Sequence, residues 1–303
     1  MTQPAPGTRA APAGKSFLDR LAARSAATGT VLCLGLDPDP ATLPPGFEPG
    51  VSGVEAFARL ILDAALPFAA AIKPNLAFYE AFGSAGLAAL ERLRRRVPSD
   101  VPVVLDAKRA DIGSTAARQA VALFDALGAD AVTVSPYLGE DAIAPLLERT
   151  DRFAYVLCRT SNPGAGELQS LVVEPDAADG APAEPLWART ARRARNWGPG
   201  GTVGLVVGAT APDELEGARQ IAPGLAFLVP GLGAQGGDAA AVLGHGPATA
   251  PPAGGRRGGG LLVSVSRAIA VPPAGDASRR DGDPGERIAA AARDWAARLP
   301  VLP

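Results

Sequence analysis

The sequence predicts a single-domain TIM (β/α)8 barrel, and three observations carry that prediction. Eight short β-rich apolar runs recur along the 303 residues, segments of helical spacing lie between them, and the runs are apolar throughout rather than alternating. Strands buried on both faces and separated by helices imply a parallel sheet covered by helices. Eight such repeats within this length suggest closure into a barrel. A doubly wound open sheet is the competitor. After the first strand, however, LGLDPDP stands where that fold would carry its glycine-rich dinucleotide turn.

The elements follow in chain order. VLCLGL (31–36) is the first strand and FAAAIKP (68–74) the second, with Val54, Phe57, Ile61 and Ala64 on one helical face between them. Leu87, Leu90 and Val97 mark the next helix, for which Ser84 is a candidate cap. VPVVLDAK (101–108) is the third strand. Its helix carries Val121, Phe124 and Leu127, with Ser114 as the candidate cap and Gly128 placed to end it. DAVTVSPY (130–137), FAYVLCRT (153–160), TVGLVVGAT (202–210), LAFLVPGLG (225–233) and LLVSVSRAI (261–269) complete the eight. The longest interval, between the fifth and sixth strands, contains VVEPDAADGAPAEP and the helix-like LWARTARRARNW. Residues 1–14 read as a disordered extension and 15–303 as the barrel domain. A Gly- and Pro-rich loop insertion near 244–259 reads as a disordered or lid-like addition.

Composition excludes several classes of function. A net charge of −2 gives no electrostatic reason to expect nucleic acid or an anionic membrane as partner. The longest apolar runs, such as AALPFAAAI, are about half of what a bilayer span requires. The first residues, MTQPAPGTRAAPAGKS, lack the continuous apolar stretch of a secretory signal. Cys33 and Cys158 both lie within strand-like runs, so they read as small core residues of a cytoplasmic protein rather than a disulfide framework. The single histidine, His245, sits in a Gly/Pro-rich stretch and rules out a histidine-cluster metal site within one chain. Acid–base chemistry therefore falls to carboxylates and lysines.

On a barrel the C-terminal strand ends build the active site. Asp37 follows strand one, Lys73 ends strand two, and Asp106 and Lys108 end strand three. Ser161 and Asn162 follow strand five, Gln235 follows strand seven and Arg267 ends strand eight. Period-two alternation puts Asp106 and Lys108 on one side of the strand with Ala107 opposite. Two readings stand at this point: a functional charge array, or a structural ion pair capping the barrel. Lys73 on the neighbouring strand favours the array, since alternating lysines and carboxylates hold one another ionised. A second constellation suggests phosphate. VPGLGAQGGD can expose backbone N–H groups to an anion and Arg267 can add a planar fork.

These segments resemble the orotidine 5′-phosphate decarboxylase family, particularly its longer bacterial branch, over roughly residues 30 to 270. DAKRADIGST is similar to the family's D-x-K-x-x-D-I signature. LGLDPDP, RTSNPGA, PGLGAQGGD and SVSRAI are similar to its remaining site segments, in order. The resemblance implies conversion of orotidine 5′-monophosphate to uridine 5′-monophosphate and CO2, without metal or cofactor. It implies a catalytic array of Lys73, Asp106, Lys108 and Asp111, with Lys108 as proton donor. Ser161 would then meet the pyrimidine edge, and Asp37 and Thr115 the ribose. Gln235 and Arg267 would meet the phosphate, with Pro230 shaping their loop or simply stopping the strand. It further implies a homodimer in which Asp111 and Thr115 reach the neighbouring site. The rival is the superfamily's metal-dependent sugar-phosphate decarboxylases and lyases, which carry a metal-binding glutamate where this chain has Lys73. A protonated lysine cannot ligate a cation. A catalytically silent phosphate-binding barrel is the remaining alternative.

Overall fold

The computed structural model describes residues 15–177, 180–233, 236–271 and 283–302. The extension over 1–14 lies outside them. The barrel strands are β1 (Leu32–Gly35), β2 (Ala71–Lys73), β3 (Val104–Arg109), β4 (Ala131–Val134), β5 (Phe153–Arg159), β6 (Val203–Val207), β7 (Ala226–Val229) and β8 (Leu262–Val265). All pair in parallel, in the order β2-β1-β8-β7-β6-β5-β4-β3. Parallel bridges Ile72↔Val103 and Asn75↔Asp106 join the two ends of that order and complete the ring. All eight predicted strands are present.

Both faces of the sheet are buried, which is why the strands read as unbroken apolar runs. Leu34, Ile72, Leu105, Val132, Val156, Leu205, Phe227 and Val263 pack outward against the helices. Cys33, Ala71, Val104, Ala131, Phe153, Tyr155, Leu228 and Leu262 point inward, where they meet Phe17, Leu18 and Leu21. Those three belong to helix α1 (Phe17–Thr28), capped by Ser16, which plugs the N-terminal end of the barrel. Phe17 stacks on Phe153 at 4.8 Å between ring centroids. Burial of a ring of this kind contributes about 1.5–3 kcal/mol.

Outside the strands run α2 (Val51–Ala65), α3 (Gly83–Arg96), α4 (Gly113–Ala120, continued by a wide turn over Val121–Ala126), α5 (Leu186–Ala194), α6 (Pro212–Ile221), α7 (Ala239–His245) and α8 (Pro284–Arg298). Two expected caps are corrected. Helices α3 and α4 each begin at a glycine one residue before the serine, so Ser84 and Ser114 lie inside the first turn and neither caps. Gly128, with φ of 69°, does end the turn that follows α4.

The stretch 244–259 is also corrected: it is neither disordered nor a lid. It is folded at the N-terminal end, opposite the strand termini where a lid would act. Ala248 and Ala253 are buried with the inner core, and the amides of Thr249 and Ala250 donate to Pro223 O. Arg219 of α6 explains the order. It lies 3.6 Å over the Phe227 ring and donates to the carbonyls of Ala222, Pro223, Leu225, His245 and Gly246. Burial pushes its guanidinium down to about 9. One buried donor thus ties the carbonyls after α6 to those at the end of α7. Arg256 pairs with Asp19 of α1, far from the strand C-termini.

Candidate active site

A cavity of about 580 Å³ opens at the C-terminal ends of the strands, lined among others by Asp37, Lys73, Asp106, Lys108, Ser161, Pro230 and Arg267. Lys73 is the last residue of β2 and only 5% exposed. Its Nζ donates to Asp106 Oδ2 at 2.8 Å, while Lys108 Nζ donates to Asp106 Oδ1 at 2.5 Å. Desolvation alone would push the Lys73 ammonium down, but the carboxylates of Asp106 and Asp37 outweigh it and hold it well above the ordinary lysine value. Desolvation would likewise push Asp106 up. The two lysines outweigh it and hold the carboxyl well below the usual range. Lys73 and Asp106 are therefore both charged at neutral pH, with Lys108 Nζ on the carboxylate's other oxygen.

The local backbone explains how two residues of β3 reach one point. Leu105 pairs with Val132 and Arg109 with Val134, so Asp106, Ala107 and Lys108 bulge opposite the single residue Thr133. Lys108 has φ of 50°, the positive value found at no other non-glycine residue among those described. Thr133 Oγ1 accepts from the amides of Ala107 and Lys108 at 3.0 and 2.9 Å and donates to Asp106 Oδ1 at 2.9 Å. Ala107 faces the outer core, as alternation predicts.

Around this array Asp37 Oδ1 accepts from the amide of Asn75 at 3.0 Å, which fixes the loop after β1 against the end of β2. Ser161 and Asn162 follow β5. Gln169 Oε1 accepts from Thr160 N, its Nε2 donates to Thr160 Oγ1, and that hydroxyl donates to Asn162 Oδ1. Gly208 can pass Ser161 only because it lacks a side chain; a Cβ there would lie 2.9 Å from the Ser161 Cα. On the opposite side Gly231 and Gly233, with φ of 103° and 89°, turn the chain after β7 beside Ser266 and Arg267 after β8. Arg267 is exposed and makes no ion pair among the described residues. This rim suits a multiply charged anion.

The structure thus brings Asp37, Lys73, Asp106, Lys108, Ser161, Pro230 and Arg267 to one cavity. Asp111 and Thr115 lie outside it within the same chain. Asp111 accepts from the amide of Ile112, and Thr115 is exposed on the first turn of α4. Gln235 lies outside the described residues. Thr133 and Asn75 are among the lining residues that were missed. Thr133 is a hydroxyl on an inward position of an otherwise apolar strand, which is the signal that could have exposed it. Asn75 follows Lys73 by two and acts through its backbone. Among the described residues no group of three or more His, Cys, Asp or Glu is placed to hold a metal ion.

A sequence model of the orotidine 5′-phosphate decarboxylase / HUMPS family matches residues 30–276. The chain belongs to this family. Orotidine 5′-phosphate decarboxylase of Thermomicrobium roseum is 46% identical over 94% of this chain and 96% of its own length. That of Halorubrum lacusprofundi is 47% identical over 94% and 97%. The solved structure of Leishmania donovani OMP decarboxylase superposes with a TM-score of 0.75 at 38% identity, covering 93% of this chain and 96% of that one. Family membership makes the chain a carboxy-lyase on a TIM barrel. No helix among the described residues is long and apolar enough to cross a membrane.

Proposed function

We propose that the chain decarboxylates orotidine 5′-monophosphate to uridine 5′-monophosphate, using the Lys73–Asp106–Lys108 array and neither metal nor cofactor. One observation carries the reading: an ammonium, Lys73, is buried against Asp106 and held charged where the metal-dependent relatives would need a ligand. Names of the relatives supply the substrate.

The chemistry follows from the charges. The bond between the ring carbon and the carboxylate breaks, its electron pair stays on the ring carbon, and CO2 leaves. Lys108 Nζ, 2.5 Å from Asp106, lines the cavity on a side chain far more exposed than that of Lys73. It stabilises the developing carbanion, gives it a proton to form the new C–H bond, and is reprotonated from solvent. Asp106 faces the departing carboxylate, so the like-charge contact is relieved as CO2 leaves. Lys73 keeps Asp106 ionised when that anion approaches. Asp37 takes the ribose hydroxyls and Ser161 the pyrimidine edge. Arg267, Gln235 and the glycine turn take the phosphate, whose remote binding energy orients the ring.

The site is completed in a homodimer, with Asp111 and Thr115 of each chain serving the partner's cavity. Supporting this, Ile112, Tyr137 and Leu138 expose 69%, 83% and 54% of their surface beside Asp111 and at the end of β4, an apolar patch of the kind that an interface covers. The enzyme acts on a small nucleotide, and we place it in the cytoplasm on its two free buried cysteines.

The test is the ultraviolet loss of orotidine 5′-monophosphate with purified protein in excess chelator. Rapid conversion to uridine 5′-monophosphate is expected. Turnover that appears only on adding a divalent cation would overturn the metal-free reading, and no turnover of this substrate in either condition would overturn the assignment.

A further inference from the structure

We propose that Thr133 is a positioning residue for Lys108, its hydroxyl locking the bulge that carries the lysine; this rests on the proton-donor reading above. The side chain of Thr133 is 1% exposed and reaches into the barrel from β4. Opposite it, three residues of β3 occupy the space of one, so the amides of Ala107 and Lys108 lose the ladder acceptors a regular strand would give them. Thr133 Oγ1 accepts from both, at 3.0 and 2.9 Å. A hydroxyl has two acceptor sites and one proton, and the proton goes to Asp106 Oδ1 at 2.9 Å. All of its capacity is used.

The result is a closed ring of contacts: Lys108 N to Thr133 Oγ1, Thr133 Oγ1 to Asp106 Oδ1, and Asp106 Oδ1 to Lys108 Nζ. The ring fixes both ends of the lysine, backbone and ammonium, to one carboxylate oxygen. It also holds the left-handed φ of 50° at Lys108, which a non-glycine residue leaves readily unless the surroundings impose it. Without the hydroxyl, the bulge can relax toward regular pairing, and that moves Nζ away from the ring carbon it protonates. A displacement of about 1 Å at a reacting group costs on the order of 10²-fold in rate.

The experiment compares Thr133→Val, which keeps the shape and removes the hydroxyl, with Thr133→Ser, which keeps the hydroxyl and removes the methyl. Single-turnover rates and KM for orotidine 5′-monophosphate are measured on folded protein, with wild type as the control. Thr133→Val is expected to lose about 10- to 100-fold in the single-turnover rate with KM within about threefold, and Thr133→Ser to recover to within about threefold of wild type. A wild-type rate in Thr133→Val would overturn the proposal. So would an equal loss in both variants, which would assign the effect to methyl packing, or a loss confined to KM, which would make Thr133 a substrate contact. Should Thr133→Val not fold, Thr133→Cys is read in its place, and an unaltered rate there overturns the proposal equally. Absence of turnover in wild type sinks the decarboxylase reading instead, so the two failures are distinguishable.

Discussion

Replacing Asp106 with Asn removes the one negative charge that contacts both lysines while keeping its size. The consequence falls first on Lys73. In the Lys73–Asp106 pair the side chains are only 7% and 13% exposed, so the ammonium cannot recover much solvation from water. Removing one partner of a buried pair costs about 3–5 kcal/mol. Asp37 remains close enough to act on Lys73, which argues for the lower end, about 3 kcal/mol. For a domain of this size that corresponds to a fall of roughly 5 °C in Tm at neutral pH. The pH dependence supplies a sign. In wild type the Lys73 pKa is raised, so its stabilisation is complete below the unfolded value of about 10.4 and is lost only as pH rises through the folded value. In Asp106→Asn burial is far less opposed and the folded value falls, so stability is recovered as pH rises toward 10. The gap between the two proteins should therefore narrow between pH 7 and pH 10 in urea or thermal unfolding. Adding Lys73→Met to the variant should restore part of the loss. An Asp106→Asn protein as stable as wild type at pH 7, or a gap that widens with pH, would refute the coupling.

Two further outcomes follow from the same geometry. Asp106 is held ionised well below its usual range and Lys73 well above its own, so neither should put a limb on the kcat profile between about pH 5 and 9. An inflexion in that window that moves in Lys73→Arg would contradict the assignment. If Asp111 serves the partner's site, mixing inactive Lys108→Ala and Asp111→Ala chains after co-refolding should regain about a quarter of wild-type activity, because half the dimers are mixed and each has one intact site. No recovery, with mixed dimers shown to be present, would place Asp111 in its own chain's chemistry.

Strand identity was legible because a barrel buries both sheet faces, and an unbroken apolar run such as AYVLC has few other uses. Charge at the strand ends was equally legible, since Lys73 and Asp106 break two apolar runs at the one position where desolvation must be balanced. The bulge was not. Alternation rightly placed Asp106 and Lys108 together, but the left-handed turn at Lys108 depends on a hydroxyl on another strand, which no local pattern carries. The floor over 244–259 was misread for a similar reason. Gly and Pro signal irregular backbone, and what orders it is Arg219, a distant side chain. Ser84 and Ser114 show the usual uncertainty of helix starts, where a glycine took the first position instead.

The most direct measurement is the single-turnover rate of Lys108→Ala with orotidine 5′-monophosphate, alongside its Kd for uridine 5′-monophosphate and its Tm. Lys108 is 48% exposed, so losing its ion pair should cost less than about 1 kcal/mol of stability. The account predicts a folded protein that still binds the product nucleotide and has lost at least about 10³-fold in rate. Turnover close to wild type in that protein would contradict the role of Lys108 as proton donor and, with it, the reading of the charge array as the catalytic device.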